Sequence, residues 1–102
     1  MKMIQRGEND KYPKNIETWK FGEKVPEWLS DRASIKFMDG EGNLTLNYRN
    51  LSNGGKEIIS SDGITTLIKL DTFDSYVCFS TDHQLISLKP IQLELLYREK
   101  KE

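Results

Sequence analysis

One cysteine, one histidine and three prolines in 102 residues leave this chain short of the side chains that most small-protein chemistry needs. Cys78 has no second thiol to pair with, so no intrachain disulfide staples the fold, which suits a reducing compartment. One His and one Cys cannot make a zinc site without carboxylates, and their spacing matches no finger or ribbon. Charge of one sign is also lacking. Fifteen Lys and Arg against sixteen Asp and Glu give a net charge of −1, so no global field draws in nucleic acid or anionic lipid. No apolar run is long enough to cross a bilayer, and residues 1–7 lack the greasy stretch of a secretory signal, so a cytoplasmic location is expected. Internal repeats and low-complexity segments are absent.

Two Trp, four Tyr and four Phe argue for a folded core, and the length fits a single domain over residues 1–102. From Ser34 to Tyr48, Ile35 and Phe37 alternate in one run and Leu44, Leu46 and Tyr48 in the next, around the gap Asp39-Gly40-Glu41-Gly42-Asn43. That period-2 grammar predicts a β-hairpin with one buried face. Trp19 and Phe21 share one side of an extended run that Gly22 ends. Asp62-Gly63 predicts a second hairpin between 56–61 and 64–70, whose second strand has apolar residues on both faces and so reads as central. Strands are further expected over 76–79, 84–88 and 91–97, with turns at 71–74 and 80–83.

Pro26 and Glu27 suit a helix start, which makes 23–33 the one short helix, with Trp28 as its anchor. Residues 1–14 read as a partly flexible segment holding a short edge strand, 98–102 as a charged, frayed tail, and Asn53-Gly54-Gly55 as the most mobile loop. The fold class is therefore mainly β, at the margin of α+β: a small antiparallel β-barrel or sandwich with one short helix.

Constellations that could carry chemistry are few. Cys78 lies mid-strand where a small hydrophobe belongs, and His83 follows a turn, so the two do not read as nucleophile and base. Asp71, Asp74 and Asp82 fall at strand ends, where with His83 they would serve a small hydrolase, but aspartate is also the ordinary turn former. The acidic gap lacks the remaining ligands of a calcium loop, and Gly54-Gly55-Lys56 lacks the rest of a phosphate loop. No metal and no cofactor is expected. Lys11, Tyr12, Lys14 and Trp19 interleave basic and aromatic residues as single-strand nucleic-acid-binding barrels do, which makes such binding the alternative reading.

The order Ile4-Gln5, Gly22, Val25-Pro26-Glu27-Trp28-Leu29 and a strand-rich half ending in Leu95-Leu96-Tyr97 resembles small uncharacterised phage-encoded accessory proteins. Where those carry a glycine-aspartate-tyrosine-isoleucine segment, this chain has Gly55-Lys56-Glu57-Ile58, and no functional residue carries over. The resemblance implies a phage or mobile-element protein in a bacterial cytoplasm that binds and blocks a host protein, such as a defence nuclease, in the manner of an anti-CRISPR inhibitor. A non-enzymatic protein-interaction module is the expectation, its partner another protein, probed through loop residues Asp39, Glu41, Asn53, Lys56 and Asp74.

Overall fold

A computed structural model describes residues 1–37 and 44–100. In chain order the elements are β1 (Lys2–Gln5), β2 (Asn15–Trp19), α1 (Glu27–Ser30), β3 (Ile35–Phe37), β4 (Leu44–Leu46), β5 (Tyr48–Asn50), β6 (Lys56–Ile59), β7 (Thr66–Leu70), β8 (Tyr76–Ser80), β9 (Leu85–Leu88), α2 (Pro90–Leu96) and β10 (Tyr97–Glu99). The protein is mainly β. Its strands form an antiparallel five-stranded sheet in the order β10-β1-β2-β8-β9, a β3-β4 pair and a three-stranded sheet β5-β6-β7. Among the described residues no barrel closes, and the layers stack as an open, sandwich-like arrangement.

The described residues between β2 and β8 form an insertion that folds back over one face of the five-stranded sheet. Trp19 and Val77, paired across β2 and β8, meet Leu29, Ala33, Leu46, Ile58 and Leu70 from that insertion in one core. The opposite face carries Met3, Ile16, Cys78 and Leu88, which pack with Leu93 and Tyr97 in a second core under α2. Alternation along β2 and β8 therefore feeds two cores, because successive side chains leave opposite faces of a strand.

The two small sheets are joined at a three-way junction. The Ser34 N–H donates to Ile59 O at 2.8 Å, the Asn47 N–H to Ser34 O at 2.8 Å, and the Ile59 N–H to Asn47 O at 2.9 Å. The Asn47 Nδ2 adds a bond to Ser34 Oγ at 2.7 Å. The backbone groups at the crossing thus pair with one another, and the Asn47 side chain adds a link between two of its strands. In the β6–β7 turn Gly63 takes φ +77°, and Asp62 Oδ1 accepts the N–H groups of Ile64 and Thr65 at 2.8 Å each. The Thr65 hydroxyl, then these backbone donors, hold the Asp62 carboxyl below the usual carboxylate range.

Several expectations are corrected. Residues 91–97 were expected as a strand, but Pro90–Leu96 is a second short helix and only Tyr97–Glu99 is extended. The helix won because Leu93, Leu96 and Tyr97 make the i, i+3, i+4 stripe that the second core accepts, Pro90 stands at the first helical position, and the Lys89 N–H donates to Gln92 Oε1 at 2.9 Å. β1 is not an edge strand, since β10 pairs outside it, and that pairing takes Arg98 and Glu99 out of the expected frayed tail. β7 is not central: β6 lies between β5 and β7. The helix expected over 23–33 is confined to Glu27–Ser30, and fully buried Leu29 anchors it, while Trp28 is only half-buried.

Candidate functional site

Two loops meet at one end of the three-stranded sheet. In the first, the Asn53 Oδ1 accepts the Gly55 N–H at 2.9 Å, Gly54 takes φ +90°, and the Leu51 N–H donates to Gly55 O at 2.9 Å. The connector expected to be mobile is thus closed by its own hydrogen bonds. In the second, the β7–β8 turn, the Thr72 hydroxyl donates to Asp74 Oδ1 at 2.6 Å and lies 2.8 Å from Ser75 Oγ. Gly55 sits directly against the carbonyls of Leu70 and Asp71, so the loops abut.

Asn53, Lys56 and Asp74 are consequently brought to the same end of the molecule. Asp39 and Glu41, the other two residues singled out for partner contact, lie outside the described residues. Lys56 begins β6, where its Nζ donates to Asn50 Oδ1 at 2.7 Å and lies 4.4 Å from the Tyr48 ring centre. Tyr48 meets Phe21 edge-on at 5.1 Å, and Phe21 meets Trp19 at 4.9 Å, so an aromatic ladder climbs from the core to Lys56. Phe73 stands on the neighbouring turn with 67% of its surface exposed. Sequence reasoning missed Phe73 and Tyr48, although an aromatic within the turn sequence Asp71-Thr72-Phe73-Asp74 was the available signal.

The two aromatics of the nucleic-acid reading are separated. Trp19 is only 3% exposed, donates its indole N–H to Glu23 O at 3.0 Å, and belongs to the core beneath the insertion. Tyr12 packs against the other core, across the sheet, with Lys11 Nζ 5.7 Å from its ring centre. Lys14 is exposed.

The acidic set is also split. Asp71 and Asp74 precede β8 and Asp82 and His83 follow it, so the five residues of β8 hold the pairs roughly 17 Å apart. Among the described residues no three His, Cys, Asp or Glu side chains gather to hold a metal. His83 adopts φ +63° in the β8–β9 turn, which its N–H closes on Ser80 O at 3.0 Å.

Cys78 is fully buried on the α2 side, and burial pushes its thiol up from 9.0 to about 12. A thiol held neutral is a poor nucleophile. In the native protein at pH 8, Cys78 is expected to resist a disulfide-exchange reagent that titrates it at once in denaturant; equal rates in both would contradict the burial. Because the folded value is the raised one, the stabilisation from the neutral thiol is complete below pH 9 and is lost as pH rises towards 12.

A second surface lies on the five-stranded sheet, left open by the described residues of the insertion. It is a groove of about 380 Å³ lined by Asn15, Glu17, Phe79, Ser80, His83 and Lys100, among others. Trp28 stacks on Phe79 at 5.2 Å with the rings 7° from parallel, and donates its indole N–H to the Glu17 carboxylate. The Arg32 guanidinium lies 5.1 Å from the Phe79 ring centre, and the His83 ring 5.5 Å from it. Trp28, expected as the helix anchor, is half-buried against the first core, with its ring on Phe79, which lines this groove.

Fold and surfaces together define a small, mainly β domain with an exposed loop end on the three-stranded sheet and a groove on the five-stranded one. Comparison with known proteins finds no matching family, no similar curated protein and no similar solved structure. No helix among the described residues is long and apolar enough to cross a membrane.

Proposed function

We propose that the protein is a non-enzymatic protein-interaction module that works by occupying the surface of a larger partner. The observation that carries the reading is Phe73, 67% exposed on a turn braced by Thr72, Asp74 and Ser75, at the same end of the three-stranded sheet as Lys56. A large apolar side chain held rigidly in solvent by polar neighbours has the character of a binding anchor, which buries area on association without losing much conformational freedom. Lys56, Asn53 and Asp74 form the polar surround that such an anchor needs. The resemblance to phage-encoded accessory proteins extends the proposal to a host-derived bacterial partner in the cytoplasm, a defence nuclease being one such target. The nucleic-acid alternative draws no support from a Trp19 that is inside the core.

The test is a partner recovered from bacterial lysate on the immobilised protein and then titrated in purified form. Phe73→Ala is expected to weaken that complex by about tenfold or more while shifting Tm by no more than about 2 °C, since the side chain has few folded-state contacts to lose. A variant that binds as tightly as the parent would remove the turn from the interface. Tight, steeply salt-dependent capture of an oligonucleotide instead would move the protein into the alternative class.

A further inference from the structure

The three-stranded sheet ends on a strand whose outer side the fold does not use. The Leu51 N–H donates to Gly55 O and the Ile59 N–H to Asn47 O, at 2.9 Å each, and because bonding alternates along an antiparallel ladder, Arg49 and Glu57 between them form a hydrogen-bonded pair. Tyr48 and Asn50 therefore turn their N–H and C=O groups away from β6. No strand lies on that side of β5 among the described residues, all three of its residues are exposed, and those four backbone groups have no hydrogen-bond partner there. An exposed row of this kind is a template for an added strand.

The rows that cross the sheet say what such a strand carries. On the face towards the first core, Tyr48, Ile58 and Ile68 stand in register, with Tyr48 at the open end of the row and 38% exposed. On the other face Arg49, Glu57 and Lys69 stand in register, so charge alternates from strand to strand. Glu57 accepts the Thr66 hydroxyl at 2.7 Å, while the Arg49 guanidinium donates to the neutral Ile64 O at 2.9 Å and meets no carboxylate among the described residues. A fourth strand continues both rows with an apolar side chain opposite Tyr48 and a carboxylate opposite Arg49, the cross-strand pairs that stabilise a sheet. The same row argues against a second copy of this chain: pairing β5 with itself about a two-fold axis at Arg49 sets two guanidiniums directly opposite each other.

We propose that β5 is a docking edge that receives an extended segment of another protein as an antiparallel fourth strand, with its carboxylate opposite Arg49 and its apolar side chain opposite Tyr48. This is a second contact surface, since the Phe73 turn leaves from β7 at the sheet's other edge, and it rests on reading the protein as a binding module. The two surfaces fail separately, because a synthetic strand needs no lysate partner and Phe73→Ala is expected to bind it as the parent does.

The probe is a heptapeptide with the central sequence Thr-Glu-Val, titrated into the millimolar range and followed by amide NMR shifts, which are expected to concentrate in β5. Methylating the backbone nitrogen of its Val, which faces β5, is expected to weaken binding about fivefold or more, and methylating that of its Glu, which faces away, to leave it within about twofold. Arg49→Gln is expected to weaken the Glu peptide by about fivefold and to leave a Gln-centred peptide unchanged, a coupling that a merely structural Arg49 would not show. Asn50→Pro removes an outward N–H, keeps the β6 ladder and is expected to abolish saturable binding. Absence of saturable shifts in β5, equal sensitivity to the two methylations, equal losses for both peptides in Arg49→Gln, or a dimer of the free protein that Asn50→Pro dissociates would each overturn the proposal.

Discussion

Replacing Gly55 by Ala is expected to destabilise the protein by about 3 kcal/mol, the upper range for forcing atoms into a packed site. The position has no room: a Cβ built on Gly55 would lie 2.3 Å from Leu70 O and 2.9 Å from Asp71 O. Ordinary C···O contacts begin near ~3.3 Å. Both crowding atoms are backbone, and Leu70 is fully buried in register with Lys56, so neither can rotate away as a flexible side chain would. In a domain of this size, a change of about 3 kcal/mol lowers Tm by roughly 12–20 °C. Gly54→Ala is the control. Its φ of +90° strains any L side chain, but a Cβ there meets nothing within 4 Å, and the expected loss is about 1–2 kcal/mol. Thermal melts that rank Gly54→Ala below Gly55→Ala in stability would show that the two loops do not press together as described.

Truncating Tyr97 to Ala is expected to remove about 3–5 kcal/mol, enough to leave a domain of ordinary stability only marginally folded. Tyr97 stands where α2 turns into β10, fully buried in the second core, and its hydroxyl donates to Pro13 O. Its backbone carbonyl accepts from Arg6 Nε at 2.8 Å, and Arg6 also reaches Glu94 O at 3.0 Å, so the helix end is tied to the segment after β1. Burial pushes the phenol up from its ordinary range, which keeps the donor in place at alkaline pH. Tyr97→Phe separates the ring from the hydroxyl: the ring's burial remains, Pro13 O is left unpaired, and the expected loss is about 1–3 kcal/mol. Urea midpoints for the two variants that coincide would assign the whole contribution to the hydrogen bond.

Both predictions concern places where the sequence alone gave half of the answer. Asn53-Gly54-Gly55 announced a turn, but not that Gly55 is needed because β7 ends against it. Leu95-Leu96-Tyr97 announced burial, but alternation at 91, 93, 95 and 97 matched a strand, while a helix satisfies the same residues with Ile91 and Leu95 left 61% and 69% exposed. Short apolar runs are ambiguous in this way because the two periodicities overlap within two turns. The loop candidates Asn53, Lys56 and Asp74 came to the same end of the molecule, since the β5–β6 loop, the start of β6 and the β7–β8 turn all lie at one end of the three-stranded sheet. The two aromatics of the nucleic-acid set, Tyr12 and Trp19, close in sequence, were parted, since they pack against different cores.

What the chain specified locally was the set of short strands, the Asp62-Gly63 hairpin, the pairing of 35–37 with 44–46, and a burial preference for Trp19 and Cys78. Alternation and turn chemistry act over a few residues, so they are readable without the rest of the molecule. The tertiary structure alone decided that β10 pairs with β1, that the described residues between β2 and β8 fold over one face, and that 90–96 is a helix. Those outcomes depend on which distant surfaces bury the most apolar area together, a competition among pairings separated by up to the whole chain length, and no local pattern records who wins it.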